Sequence, residues 1–133
     1  MLIPHLHFCD DCEEAIVFYE KAFNTKAETI IRNSDYSPEE YCGNNRIAHA
    51  VMEIYGQKVF LNDRFGNRKK TSDVAVHLII MFGSTNDLLA CYEIMKLDSI
   101  TIDQLEELPY SKLAVQFIDK YGVQWGFMVE ETE

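Results

Sequence analysis

The sequence has no apolar run near the ~20 residues that a membrane-spanning helix needs, so no membrane partner is expected. Its opening, MLIPHLHFCDD, lacks a basic start and turns acidic at once, unlike a secretory leader. The expected location is the cytoplasm. Positive charge is scarce: 12 Lys and Arg stand against 22 Asp and Glu, a formal net charge of −10. A phosphate backbone repels such a chain unless its basic residues are gathered in one place. The only basic cluster is Arg64, Arg68, Lys69 and Lys70, in the stretch RFGNRKKTSD, which reads as a solvated connector. Nucleic acid is therefore not an expected partner. There is also no phosphate-cradling glycine loop and no GxSxG elbow.

Cysteine pairs are short in supply too. Cys9 and Cys12 form a CxxC, which admits redox or zinc chemistry, but Cys42 and Cys91 supply no second close pair for a structural zinc. Asp10 and Asp11 between them would raise a thiol pKa rather than lower it. Two small, buried cysteines at a strand-to-helix junction are the favoured reading. No base stands beside Cys9 or Cys42 to make either a nucleophile.

What is present is a pattern that runs twice. LIPHLHF alternates as a strand, and Asp11 with Glu14 has the spacing of a capping box. Ala15, Ile16, Phe18, Tyr19, Ala22 and Phe23 then recur at helical spacing, ending near Asn24. AETIIR reads as a strand, and residues 33–45, NSDYSPEEYCGNN, as a long polar loop. RIAHAVMEI and KVFLND form a hairpin about Tyr55-Gly56. The pattern restarts with DVAVHLIIMF as a strand and a helix capped by Ser84 that carries Leu88, Leu89, Cys91, Tyr92 and Met95. SITI is a short strand or extended piece, and DQLEEL a helical turn stopped by Pro109. LAVQFID and VQWGFMV close on Lys120-Tyr121-Gly122, where Gly122 takes the positive φ of a short loop. Asp119 reads as a turn residue and Trp125 as core.

Each half thus reads strand, helix, strand, hairpin. VMEIYGQKVFL (51–61) aligns with FIDKYGVQWGF (117–127), with Tyr-Gly matched at the turn. Two βαβββ copies are the simplest account. The expected fold class is α+β. A single domain spans 1–133, with module one about 1–66, a connector about 64–73 and module two about 73–133.

IPHLHF, EEAIVFYEKAF, IAHAVMEIYGQKVFLND and FIDKYGVQWGF together resemble the vicinal oxygen chelate superfamily, which includes glyoxalase I, fosfomycin-resistance enzymes and extradiol dioxygenases. Within it they look most like the PhnB-like branch. The resemblance implies tandem βαβββ modules whose curved sheets enclose a cup, commonly in a homodimer. In the superfamily's metalloenzymes, His and Glu side chains from the first and last strands of each half hold a divalent ion. The last-strand ligand stands four residues after the turn glycine.

In this chain those last-strand positions are Phe60 and Gly126, and neither offers a side-chain donor. Alternation puts Val123, Trp125 and Phe127 on one strand face and Gln124, Gly126 and Met128 on the other. In the first strand Leu6 and Phe8 should face the helix, which sends His5 and His7 to the cup. A count back from Phe18 puts Pro4 in the ligand position instead, and a one-residue slip exchanges the faces. In the second half Val74, Val76, Leu78 and Ile80 make the apolar face, and His77 points to the cup. His49 and Glu53 share a face but lie ~13 Å apart on a strand, too far to chelate one ion. His49 could orient a ligand or act as a general base. A catalytic metal generally needs three protein ligands, so no cofactor is expected. Were a divalent metal bound, His5 and His77 would be its ligands. The expected cup residues are His5, His7, His49, His77, Gln124 and Gly126, and the expected partner is a small molecule. The alternatives are a divalent-metal lyase, isomerase or dioxygenase of the same superfamily, and a non-catalytic binding or sensing module.

Overall fold

The computed structural model describes residues 1–40, 43–64 and 76–130. Cys42, Arg68, Lys69, Lys70 and Val74 lie outside the described residues. The chain divides into two compact units, Met1–Arg68 and Lys69–Glu133.

The first unit runs β1 (His5–Phe8), α1 (Cys12–Phe23), β2 (Thr29–Arg32), α2 (Asn33–Tyr36), β3 (Ile47–Ile54) and β4 (Gln57–Asp63). Its strands form one curved sheet in the order β1-β4-β3-β2, with β1 parallel to β4 and the other pairs antiparallel. The second unit runs β5 (Leu78–Phe82), α3 (Thr85–Met95), β6 (Ile100–Leu108), β7 (Ser111–Ile118) and β8 (Gln124–Val129). Its order is β5-β8-β7-β6, the same topology with the same parallel pair. The two βαβββ copies read from the sequence are present.

One face of each sheet packs on the unit's own helix, because alternation gathers the large apolar residues there. In the first unit Leu6, Phe8, Met52, Val59 and Leu61 are buried with Ile16, Tyr19 and Phe23 of α1. Tyr19 stacks on Phe23 with ring centroids 5.7 Å apart. In the second, Ile80, Phe82, Phe117, Trp125 and Phe127 are buried with Leu88, Cys91, Tyr92 and Met95 of α3. Phe127 meets Phe82 and Phe117 edge-on, each at 5.0 Å.

The hairpin turns follow from local chemistry. Tyr55 (φ 48°) and Gly56 (φ 81°) both take positive φ, as the tight turn between β3 and β4 requires. Gly122 (φ 91°) does the same between β7 and β8. Asn24 ends α1 in the left-handed conformation, φ 51°. Ser84 caps α3, its Oγ accepting the Asp87 N–H at 3.1 Å.

Four expectations are corrected. The capping box at Asp11 and Glu14 does not form: the Asp11 side chain makes no cap hydrogen bond. A distant carboxylate takes the role, and Cys12 N–H donates to Asp63 Oδ1 at 3.0 Å. The long loop at 33–45 opens with the short helix α2, because Arg32 N–H donates to Asp35 Oδ2 and holds the first turn closed. DQLEEL is not a helical turn. It lies within β6, where pairing with β7 overrides helix propensity. The strand read over 73–82 begins only at Leu78, and Val76 is 76% exposed rather than part of an apolar face.

Candidate functional site

The face of each sheet turned away from its helix carries the polar residues singled out in the sequence. In the first unit His5 stands opposite Phe60 and His7 opposite Asn62 in the β1–β4 register. That decides the first-strand question: His5, not Pro4, neighbours Phe60 on this face, while Pro4 only contributes its carbonyl to Phe60 N–H at 2.9 Å. His49, on β3, comes to the same place. Its ring meets Phe60 edge-on at 4.8 Å, and His5 meets Phe60 edge-on at 6.0 Å. His5 and His7 lie 4.2 Å apart between ring centroids. Two histidines from two strands thus flank one phenyl ring, and a third, His7, stands beside His5.

His7 is tied down on both nitrogens. Arg64 can only donate, so its Nη2 donates to His7 Nε2 at 2.9 Å. The His7 proton then sits on Nδ1 and is donated to Asn62 Oδ1 at 2.6 Å. A nitrogen that accepts from a guanidinium is not free to bind a cation. Arg64 belongs to the basic cluster read as a connector, and nothing near it in the chain signals that it reaches a histidine 57 residues away.

His5 is held below its ordinary pKa of 6.5, by burial first and then by the neighbouring His7, His49 and Arg64. A proton on His5 is therefore disfavoured in the folded chain. The unfolded chain takes that proton up first as pH falls, so the associated stability is complete above pH 6.5 and declines below it. Removing His49 is expected to move the His5 pKa part of the way back up, since burial remains. NMR titration of the His5 ring in H49A checks this, and no upward movement would leave burial and the other two neighbours in control.

In the second unit Ile79 stands opposite Gly126 in the β5–β8 register, as His5 stands opposite Phe60 in the first. His77 lies two residues before Ile79, just outside the strand. A Cβ built on Gly126 would sit 3.4 Å from Ile79 Cγ1 and 3.5 Å from His77 Cδ2. The imidazole therefore lies against a bare stretch of backbone. Gln124 and Met128 are on the same face, half-buried, and Gln124 Oε1 is shielded with no hydrogen-bond partner among the described residues. Gln116 of β7 neighbours Gly126 directly. His77, Ile79, Gln116, Gly126 and Met128 line a groove of about 190 Å³, and Gln124 is not part of its lining.

The turn beside this face is built on Asp119, which is 1% exposed. Its Oδ1 accepts Tyr121 N–H at 2.9 Å and Val123 N–H at 3.0 Å, and its Oδ2 accepts Trp125 Nε1–H at 2.9 Å. The aspartate read as a turn residue also fixes the indole of the core.

His5, His7 and His49 belong to the first unit, and His77, Gln124 and Gly126 to the second. Among the described residues no group of three or more His, Cys, Asp or Glu side chains is arranged to hold a metal ion. The donor chemistry explains this: Phe60 and Gly126 bring none, and His7 is committed to Arg64 and Asn62. The residues present do not fit the ligand set that the superfamily's metalloenzymes imply. The CxxC is not poised for redox chemistry either. Burial, helped by Asp63, Asp11 and Glu13, pushes the Cys12 thiol far up, and burial pushes Cys91 up to about 12.

Two mirrored βαβββ units with this topology define a glyoxalase-like α+β protein, and the chain belongs to the Glyoxalase/Bleomycin resistance protein/Dioxygenase superfamily, whose family model matches residues 2–127. Among solved structures it is similar to a putative 3-demethylubiquinone-9 3-methyltransferase, PhnB protein, from Bacillus cereus. They share 24% identity over 96% of this chain and 98% of that one, with a TM-score of 0.81. It is also similar to protein PA1353 from Pseudomonas aeruginosa, at 18% identity over 99% and 98% of the two chains and a TM-score of 0.84. The fosfomycin resistance protein FosX from Listeria monocytogenes matches at 11% identity over 98% and 93%, with a TM-score of 0.70. Likenesses at these identities establish the fold. No curated protein matches the chain.

Proposed function

We propose that the protein binds a small organic molecule on the open, histidine-bearing faces of its sheets and does so without a catalytic metal. The observation that supports this reading is what fills the position opposite each unit's first strand. It is Phe60, packed edge-on by His5 and His49, in one unit, and Gly126, lying under His77, in the other. An aromatic ring flanked by two imidazoles and a groove floored by glycine are surfaces for organic ligands, which need apolar contact and a few placed polar groups. A divalent ion needs several oxygen or nitrogen donors at one point.

The test uses the whole chain purified without a metal-binding tag. Metal content is measured, and Tm is then followed with Mn²⁺, Ni²⁺, Zn²⁺ and Fe²⁺ added singly, and with a metabolite library in EDTA. The expected result is no ion near one per chain, no saturable shift from any ion, and a saturable rise in Tm from an organic compound in EDTA. An ion near one per chain, or a saturable metal shift at low concentration, overturns the metal-free part and favours a metalloenzyme using His5 or His77. A library that leaves Tm unmoved overturns the binding part.

A further inference from the structure

Resting on that reading, the geometry points to the groove over Gly126 as a binding site for an uncharged, single-ring molecule that carries one hydrogen-bonding group. Size sets the first limit. The groove measures about 190 Å³, and a cavity of roughly 150 Å³ is enough for benzene, so one ring with a short substituent fits and a fused system of three rings does not.

The lining sets the second limit. Ile79, Leu108 and Met128 give it apolar walls, and no Asp, Glu, Lys or Arg takes part. A charged ligand would leave water there with no opposite charge to meet it, which is costly. Three polar side chains in the lining can both donate and accept without carrying a fixed charge: Tyr110, which is 62% exposed, and the half-buried His77 and Gln116. His77 and Gln116 have no hydrogen-bond partner among the described residues, and His77 Nε2 stands 3.6 Å from where a Gly126 Cβ would be. Among the described residues nothing competes for the imidazole or the amide, and either can meet a hydroxyl or carboxamide on the ligand.

Gly126 makes the space. It is not in a left-handed conformation, so its lack of a side chain is not needed by the backbone. An alanine Cβ would meet Ile79 and His77 at ordinary contact distance, whereas a longer side chain would occupy the groove itself.

The experiment is an NMR titration of the isotope-labelled full chain with phenol, benzamide and benzoate at pH 8. Benzamide and benzoate match in shape and differ in charge. Phenol and benzamide are expected to shift the His77, Gln116 and Gly126 signals saturably, with benzoate at least ~10-fold weaker. G126L is expected to abolish those shifts with the rest of the spectrum retained, and G126A to preserve most of them. Should G126L not fold, I79W blocks the groove from a position already 53% exposed. Benzoate binding as tightly as benzamide overturns the inference, as does binding that survives both blocking variants. Shifts confined to His5, His49 and Arg64 overturn the groove and leave the broader small-molecule reading standing. No shift with any of the three also overturns the groove, and the metabolite library then judges the broader reading alone.

Discussion

Replacing Asp119 with alanine is expected to lower the stability of the second unit by about 3–5 kcal/mol, the largest effect of any single change considered for this protein. Asp119 is buried at 1% exposure and accepts from three donors. Two of them, Val123 N–H and Trp125 Nε1–H, are buried themselves. Without the carboxylate each loses its partner and has no water to replace it, at about 1–3 kcal/mol apiece. The turn also loses the acceptor that orders Tyr121. Chemical denaturation and a fall in Tm of roughly 10 °C or more would register the change. Asparagine should rescue only part of it, because its NH₂ must face one of the donors. The cycle of D119A with W125F separates the indole bond from the turn bonds. A D119A chain as stable as the parent would mean that the turn holds itself.

Asp63→Ala is expected to cost the first unit about 2–3 kcal/mol. Its carboxylate joins three elements. It ends β4, accepts Cys12 N–H at the start of α1 through Oδ1, and accepts Ile47 N–H at the start of β3 through Oδ2, both at 3.0 Å. A negative charge at a helix N-terminus adds a favourable dipole interaction to the hydrogen bond. Its loss should be read as a lower denaturation midpoint and as faster amide exchange at Cys12 and Ile47. D63N should fall between the two, since one of its two polar atoms donates where an acceptor is needed. If D11A were as damaging as D63A, the cap would belong to the local residue after all. The absence of a cap bond from Asp11 argues for the opposite order.

These two carboxylates illustrate how far local reasoning reaches. Asp119 was legible as a turn residue because aspartate accepts from backbone two residues on. That it also holds Trp125 depends on the strand leaving the turn, six residues along, and on the burial of both groups. Asp63 was not legible at all. Asp11 with Glu14 has the spacing of a capping box, and nothing in that spacing tells of a carboxylate 51 residues away that reaches the helix start first.

The strands divide in the same way. β3, β4, β7 and β8 were readable because one face of each is buried, which imprints an apolar period of two on the sequence. Of β6 only the start, in SITI, was readable, because it is an edge strand exposed on both faces, and Asp103, Gln104, Glu106 and Glu107 carry no such period. Its acidic residues also discourage further pairing along that edge. Gly126 on one face and Trp125 and Phe127 on the other follow from the same alternation, with Gly126 at the groove and the two aromatics in the core.

The two-fold repeat, the turn glycines, the helix faces and the lack of carboxylates at positions 60 and 126 can all be read along the chain. All of these are properties of a residue and its near neighbours in the chain. It takes the folded sheets to place His5 rather than Pro4 beside Phe60, to bring His49 there, to set the His7 tautomer through Arg64, and to lay His77 over Gly126. Each of these depends on the register between strands distant in sequence. A shift of one residue in that register would turn every one of these side chains to the opposite face.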